Sequence, residues 1–164
     1  YGMTETLTQI AARRLCPNPD LEFKRVDDSL EFGVSESGTL SVTDHLLKLY
    51  HLETKDAVAL SGPEAFVWKG RIDQVINSGG IKWYPEDWKT ELVHPWLEGK
   101  HWQVVGQNDP SFGEVPVLLV ESKTTPPDSL LEELNQGLTG AKKLKAIKVL
   151  KKFQRGATGK ILGR

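Results

Sequence analysis

The chain is short of most features that announce a chemistry. It has one cysteine, Cys16, so no internal disulfide framework can form, and a reducing, cytoplasmic setting is expected. Its net charge of −1 provides no whole-chain field toward nucleic acid or an anionic membrane. No apolar run approaches the roughly 20 residues that a membrane helix needs, so helical insertion is not expected. The histidines, His45, His51, His94 and His101, show no metal-ligand spacing, and the single cysteine adds none. No serine stands in a Gly-x-Ser-x-Gly elbow. Zinc and hydrolase chemistry are therefore poorly supported. The opening residues, Tyr1-Gly-Met-Thr-Glu-Thr6, contain neither a basic nor an apolar segment, which argues against a secretory signal. Met3 is the only methionine and is not first, so the chain is expected to begin partway through a longer protein.

What is present fits a water-soluble globular composition. The 164 residues are 38% apolar and 26% charged, enough for one ordinary domain or two small ones. Strand-like runs recur at Leu21–Val26, Leu30–Val34, Gly38–Val42, Ala57–Leu60 and Phe66–Lys69, separated by polar turns. That texture predicts an all-β piece with a small, distorted, barrel-like sheet. From about Gly70 the pattern changes to a mixed α+β unit, so the expected domains are 1–70 and 71–164. In the second, Trp88, Leu92 and Trp96 predict a helix from Pro85 to Glu98, which Pro95 ends or bends. Leu130, Leu134 and Leu138 predict another over 129–138, with Ser129 and Glu132 as a capping box. Trp102–Val105, Glu114–Glu121 and Lys145–Leu150 complete the strands. The five tryptophans, at 68, 83, 88, 96 and 102, are expected in core and interdomain packing.

Four stretches carry candidate chemistry, each with a plain alternative. Gly70-Arg-Ile-Asp-Gln-Val-Ile-Asn-Ser-Gly-Gly-Ile-Lys82 reads as a hairpin with a polar, glycine tip, and an extended backbone would set Arg71 and Asp73 on one face. Tyr1–Thr6 suits a terminal loop, yet combines a ring, a permissive glycine, hydroxyls and a carboxylate suited to purine, phosphate and magnesium. Gly156-Ala-Thr-Gly-Lys160 lacks phosphate-loop spacing and reads either as a solvated basic tail or as a loop delivering a lysine to an anionic centre. The basic run from Lys142 to Arg155 reads as the wet face of a strand. The alternative, contact with nucleic acid or a phosphorylated cofactor, has no interleaved aromatic before Phe153 to support it.

Taken in order, Tyr1-Gly-Met-Thr-Glu-Thr6, Thr54-Lys-Asp56, Gly70-Arg-Ile-Asp73, Gly79-Gly-Ile-Lys82 with Pro85-Glu86, and Gly159-Lys160 resemble the adenylate-forming superfamily over its C-terminal portion. The phrase Val75–Lys82 looks most like the o-succinylbenzoate–CoA ligase branch of menaquinone biosynthesis.

The resemblance implies an ATP- and CoA-dependent acid–thiol ligase with magnesium as cofactor. A mobile C-terminal domain would follow the β-rich end of a large adenylate-binding domain. It implies that Tyr1 stacks near adenine, with Gly2 beside it, and that Thr4 meets the α-phosphate while Glu5 helps hold magnesium. Asp56 would receive the ribose hydroxyls, assisted by Arg71. Lys160 would be catalytic in adenylation, and Asp73 would be the hinge. Gly79 and Gly80 would line the CoA path, with Lys82 near the phosphate in the second state. The implied partners are a small carboxylic acid, ATP and CoA, without nucleic acid or membrane insertion. Two positions depart from the pattern: Lys55 replaces the usual glycine of Thr-Gly-Asp, and Lys89 stands where an acid usually closes the Pro-Glu motif. The upstream ATP and acyl residues belong to the rest of such a protein, so this portion alone is expected to be inactive.

Overall fold

The computed structural model describes residues 1–156 and residue 161. The chain divides into two compact units, Tyr1–Asp73 and Gln74–Arg164.

The first unit is built on six strands: β1 (Ala11–Ala12), β2 (Glu22–Arg25), β3 (Leu30–Val34), β4 (Thr39–Asp44), β5 (Leu49–Gly62) and β6 (Ala65–Arg71). They form one antiparallel sheet in the order β1-β2-β6-β5-β4-β3. Register shifts distort the pairing of β5 with both neighbours, but the edges stay open and the sheet does not close into a barrel. Alternation dictates the core: Leu30 and Phe32 on β3, and Leu40 and Val42 on β4, all point inward and are buried. Phe66 is fully buried, with ring centroids of Tyr1, Phe23 and Phe32 at 5.2, 5.6 and 5.0 Å. Such burial of a phenylalanine stabilises by about 1.5–3 kcal/mol.

β5 is much longer than the expected Ala57–Leu60. Its first half, Leu49–Asp56, has few apolar residues because many of its side chains face water, and pairing with β4 carries the backbone. On its other margin β5 pairs with β6, which sets Arg71 opposite Asp56, and Arg71 belongs to the first unit.

The second unit contains β7 (Ile76–Ser78), β8 (Ile81–Trp83), β9 (Trp102–Asp109), β10 (Gly113–Glu121), α1 (Leu130–Gln136) and β11 (Ala146–Leu150). β10 pairs antiparallel with β9 along its length, parallel with β11, and at Gly113 with Ser78 of β7. The fold is α+β, with one α-helix among the described residues. The crossover from β10 through α1 to β11 is what a parallel pair requires. Leu130, Leu134 and Leu138 are buried as their spacing predicts. The capping box is absent: Ser129 has helical dihedrals and makes no side-chain cap.

The expected helix from Pro85 to Glu98 is two 3-10 turns, Pro85–Trp88 and Pro95–Leu97. Pro95 cannot donate and forces His94 toward extended backbone, where φ is −155° and ψ 137°. His94 then caps the second turn, accepting the Trp96 N–H on Nδ1 at 3.0 Å. Trp88 and Leu92 are buried as expected, but the third buried residue is Leu97 rather than Trp96.

Candidate functional site

Asp56 is held by side-chain donors from two distant positions of the first unit. Its Oδ2 accepts the Tyr1 hydroxyl, and its Oδ1 accepts the Trp68 indole N–H at 3.1 Å. The Asp56 backbone N–H donates to Thr54 Oγ1 at 3.1 Å, a local tie within β5. Burial, reinforced by the hydrogen bond to Asp56, pushes the Tyr1 phenol well above its ordinary range. The phenol therefore stays a donor, and the carboxylate keeps a fixed direction.

Arg71 reaches Asp73 rather than Asp56. Its Nε donates to Asp73 Oδ1 at 3.0 Å and its Nη2 to Oδ2 at 2.7 Å, a forked pair. That hydrogen bond holds Asp73 below the usual carboxylate range and Arg71 above its ordinary value. Both side chains are about two-fifths exposed, 41% and 43%, so the pair contributes more to orientation than to stability. Lys55, which departs from the family pattern, sits with Nζ 4.0 Å from Asp73 Oδ2. Asp73 thus lies between two cations.

Thr4 and Glu5 are exposed on a 3-10 turn, Thr4–Thr6. The buried Thr6 holds that turn, accepting the Met3 N–H at 3.2 Å. Gly2 pairs with Gln9 through an isolated bridge. Among the described residues no group of three or more histidine, cysteine or acidic side chains could hold a metal unaided. The exposed Glu5 carboxylate is a hard oxygen donor of the kind magnesium takes, and the ion's other ligands would have to come from elsewhere.

In the second unit, Gly79 and Gly80 form the two-residue tip of the β7–β8 hairpin, with φ of +60° and +81°. Both angles lie in the left-handed region, which explains paired glycines there. Lys82 is exposed on β8, opposite Asn77. Lys89 forms an ion pair with Glu86 at 2.7 Å, which neutralises the Pro-Glu glutamate. The first unit therefore gathers Tyr1, Asp56, Arg71 and Asp73, and the second carries Gly79, Gly80 and Lys82. Lys160 lies outside the described residues.

Two roles were not legible in the sequence. Trp68, expected only in packing, uses its indole N–H on Asp56; its Cα partner across the strands is Val58, two residues from that aspartate. Lys142, expected on a solvated face, is only 11% exposed: its Nζ stands 2.5 Å from Glu91 Oε1 and over the rings of Trp83 and Trp88. No local signal marks it, because those partners lie over fifty residues away.

The fold defines a class. The structural neighbours are AMP-forming acyl-CoA synthetases, and the chain has the fold of the C-terminal portion of the adenylate-forming superfamily. More particularly, an acyl-CoA synthetase (AMP-forming)/AMP-acid ligase II-like protein of Dyadobacter fermentans is 28% identical, with a TM-score of 0.51; 98% of this chain covers 47% of that one. The o-succinylbenzoate CoA synthetase of Bacillus subtilis, solved with its acyl-adenylate intermediate, is 21% identical with a TM-score of 0.76 over 98% of this chain and 39% of its own. That enzyme has also been solved with ATP and a magnesium ion. A fatty acyl CoA synthetase of Mycobacterium tuberculosis is 20% identical with a TM-score of 0.56, covering 82% of this chain and 32% of that one. The chain thus spans less than half the length of each of these proteins. No protein-family model matches the chain, and no curated protein matches it in sequence.

Proposed function

We propose that this chain is the C-terminal portion of an ATP-dependent acid–thiol ligase, with o-succinylbenzoate as the acid and CoA as the thiol. The observation that carries the reading is Asp56, fixed by the Tyr1 hydroxyl and the Trp68 indole, with Arg71 in register across the strand pair. A carboxylate held in this way is preorganised to accept two vicinal hydroxyls, as a ribose presents them.

In the first half-reaction a substrate carboxylate oxygen attacks the α-phosphorus of ATP and pyrophosphate leaves. Two anions must meet, and the ammonium of Lys160 lowers that cost by lying between them. Thr4 donates to the α-phosphate, and Tyr1 packs beside the adenine. Glu5 would help hold magnesium, which supplies charge neutralisation on the phosphates. In the second half-reaction the CoA thiolate attacks the acyl carbon and AMP leaves with the bonding pair. Gly79 and Gly80 keep side chains out of the thiol's path, Lys82 faces the phosphate, and Asp73 is the point about which the second unit turns.

The test uses the intact protein to which this portion belongs. Pyrophosphate release is expected with ATP and o-succinylbenzoate, exceeding that with other aryl acids and with fatty acids. Preference for a different acid would reassign the substrate and keep the reaction. Lys160→Ala is expected to slow adenylation at least about a hundredfold, the scale of losing one transition-state donor, while thioester formation from supplied acyl-adenylate persists. Equal loss in both half-reactions would rule out Lys160 as the bridge between the two anions.

A further inference from the structure

The glycine tip does not hold itself in place. β7 and β8 have three residues each, and a hairpin of that size is marginal alone. The turn between β9 and β10 grips it instead. The Phe112 carbonyl accepts the Gly79 N–H at 2.9 Å, and Gly113 pairs with Ser78, which is buried. One step further along, ladder pairing ends and a side chain takes over. Glu114 Oε2 accepts the Asn77 N–H at 2.8 Å, a charge-assisted bond in the place of a backbone carbonyl.

Room for that carboxylate is provided on β9. A Cβ added at Gly106 would stand 2.8 Å from both Glu114 Cδ and Oε1, inside van der Waals contact. Gly106 lies within the regular pairing of β9 with β10, opposite Pro116, and its φ is not in the left-handed region. The carboxylate fills the space that the missing side chain of Gly106 leaves, and an added Cβ would push aside the far end of that flexible glutamate side chain. Gly106, Glu114 and Asn77 form one chain of contacts ending two residues from Gly79.

We propose that Glu114 is a positioning residue for the thiol half-reaction: seated over Gly106, its carboxylate fixes the Asn77 amide and hence the backbone of the Gly79–Gly80 tip. This rests on the proposed ligase function, in which the tip borders the thiol path. Glu114 acts through the Asn77 amide that it holds. Its effect falls on the step that needs the tip and not on the step that precedes it.

The two half-reactions, measured separately in the intact protein, test it. Glu114→Ala is expected to lower thioester formation from supplied acyl-adenylate about tenfold, the scale of one hydrogen bond to a charged group, with pyrophosphate release changed less than about twofold. Glu114→Gln keeps an acceptor oxygen and should restore most of the rate. Gly106→Ala displaces the carboxylate without removing it and should reproduce the Glu114→Ala loss. The double variant should be no slower than Glu114→Ala alone, because both act through one contact. Independently, amide exchange at Asn77 and Gly79 in the 164-residue chain should accelerate in Glu114→Ala. Equal losses in both half-reactions, or losses that multiply in the double variant, would overturn the proposal. Unchanged amide exchange would overturn the mount itself. Absence of acid-dependent pyrophosphate release from the unaltered protein would instead overturn the ligase reading, and with it the tip's role.

Discussion

Tyr1 and Asp56 lie 55 positions apart in sequence and share a proton contact that sets how both behave. The ring is half-buried, edge-on to Phe23 and Phe66, and its hydroxyl gives its proton to a carboxylate. Ionising the phenol would place an anion beside Asp56 in a poorly hydrated spot, so its pKa is raised. The sign of the linkage follows: an unfolded tyrosine ionises near pH 10, and the folded one later. The stabilisation is complete below about pH 10 and is lost as pH climbs toward the folded value. Tyr1 should therefore contribute phenolate absorbance later than an ordinary tyrosine. In Tyr1→Phe that late component should vanish, and the fall in urea midpoint between mildly and strongly alkaline buffer should become shallower. A late component that survives the substitution would show that it does not belong to Tyr1. Arg71 is set by contacts of the same scale. Its fork is committed to Asp73, so assistance at Asp56 requires that pair to open or to act through its field.

The segment from Pro85 to Lys100 shows where reading elements from sequence succeeds and where it stops. Trp88 and Leu92 were legible as buried positions, since apolar residues four apart must share a side in any helical turn. The element was not, because Pro95 and the extended His94 before it cut the run into short 3-10 turns whose stability comes from tertiary contacts. Trp88 carries much of that load: its ring is fully buried and its Nε1 donates to the Lys142 carbonyl at 3.0 Å. Trp88→Ala should cost about 3–5 kcal/mol in equilibrium unfolding of the chain. A loss below about 1 kcal/mol would mean that the segment packs without its anchor. By contrast, α1 was legible in both type and burial, because nothing interrupts Leu130, Leu134 and Leu138. Its closure was not: Asn135, on the polar side, bonds both the N–H and the carbonyl of Leu144, at 2.7 and 2.9 Å. The candidate site divides in the same way. Tyr1, Asp56, Arg71 and Asp73 stood out through ordered local motifs, whereas Trp68, Lys142 and Glu114 act on partners that only folding brings near.

At the scale of the whole molecule, the division into Tyr1–Asp73 and Gln74–Arg164 places one residue in two roles. Asp73 ends the first unit within a 3-10 turn, Ile72–Gln74, and its carboxylate is tied to Arg71 and faces Lys55. If the second unit turns between half-reactions, the backbone at this point must change while the Arg71 pair is kept or released. Two substitutions separate these demands. Asp73→Ala removes the carboxylate and leaves the dihedrals free. Asp73→Pro removes it too, and also fixes φ at 73 and drives Ile72 away from helical dihedrals. In the intact protein, the ratio of adenylation to thioester-formation rates should stay within about threefold of the unaltered value in Asp73→Ala, because an exposed pair contributes little. In Asp73→Pro the ratio should shift at least about tenfold, with one half-reaction impaired and the other spared, as expected when a hinge is confined to part of its range. Equal ratios in the two variants would assign the effect to the lost carboxylate and leave the backbone at Asp73 without a part in domain movement.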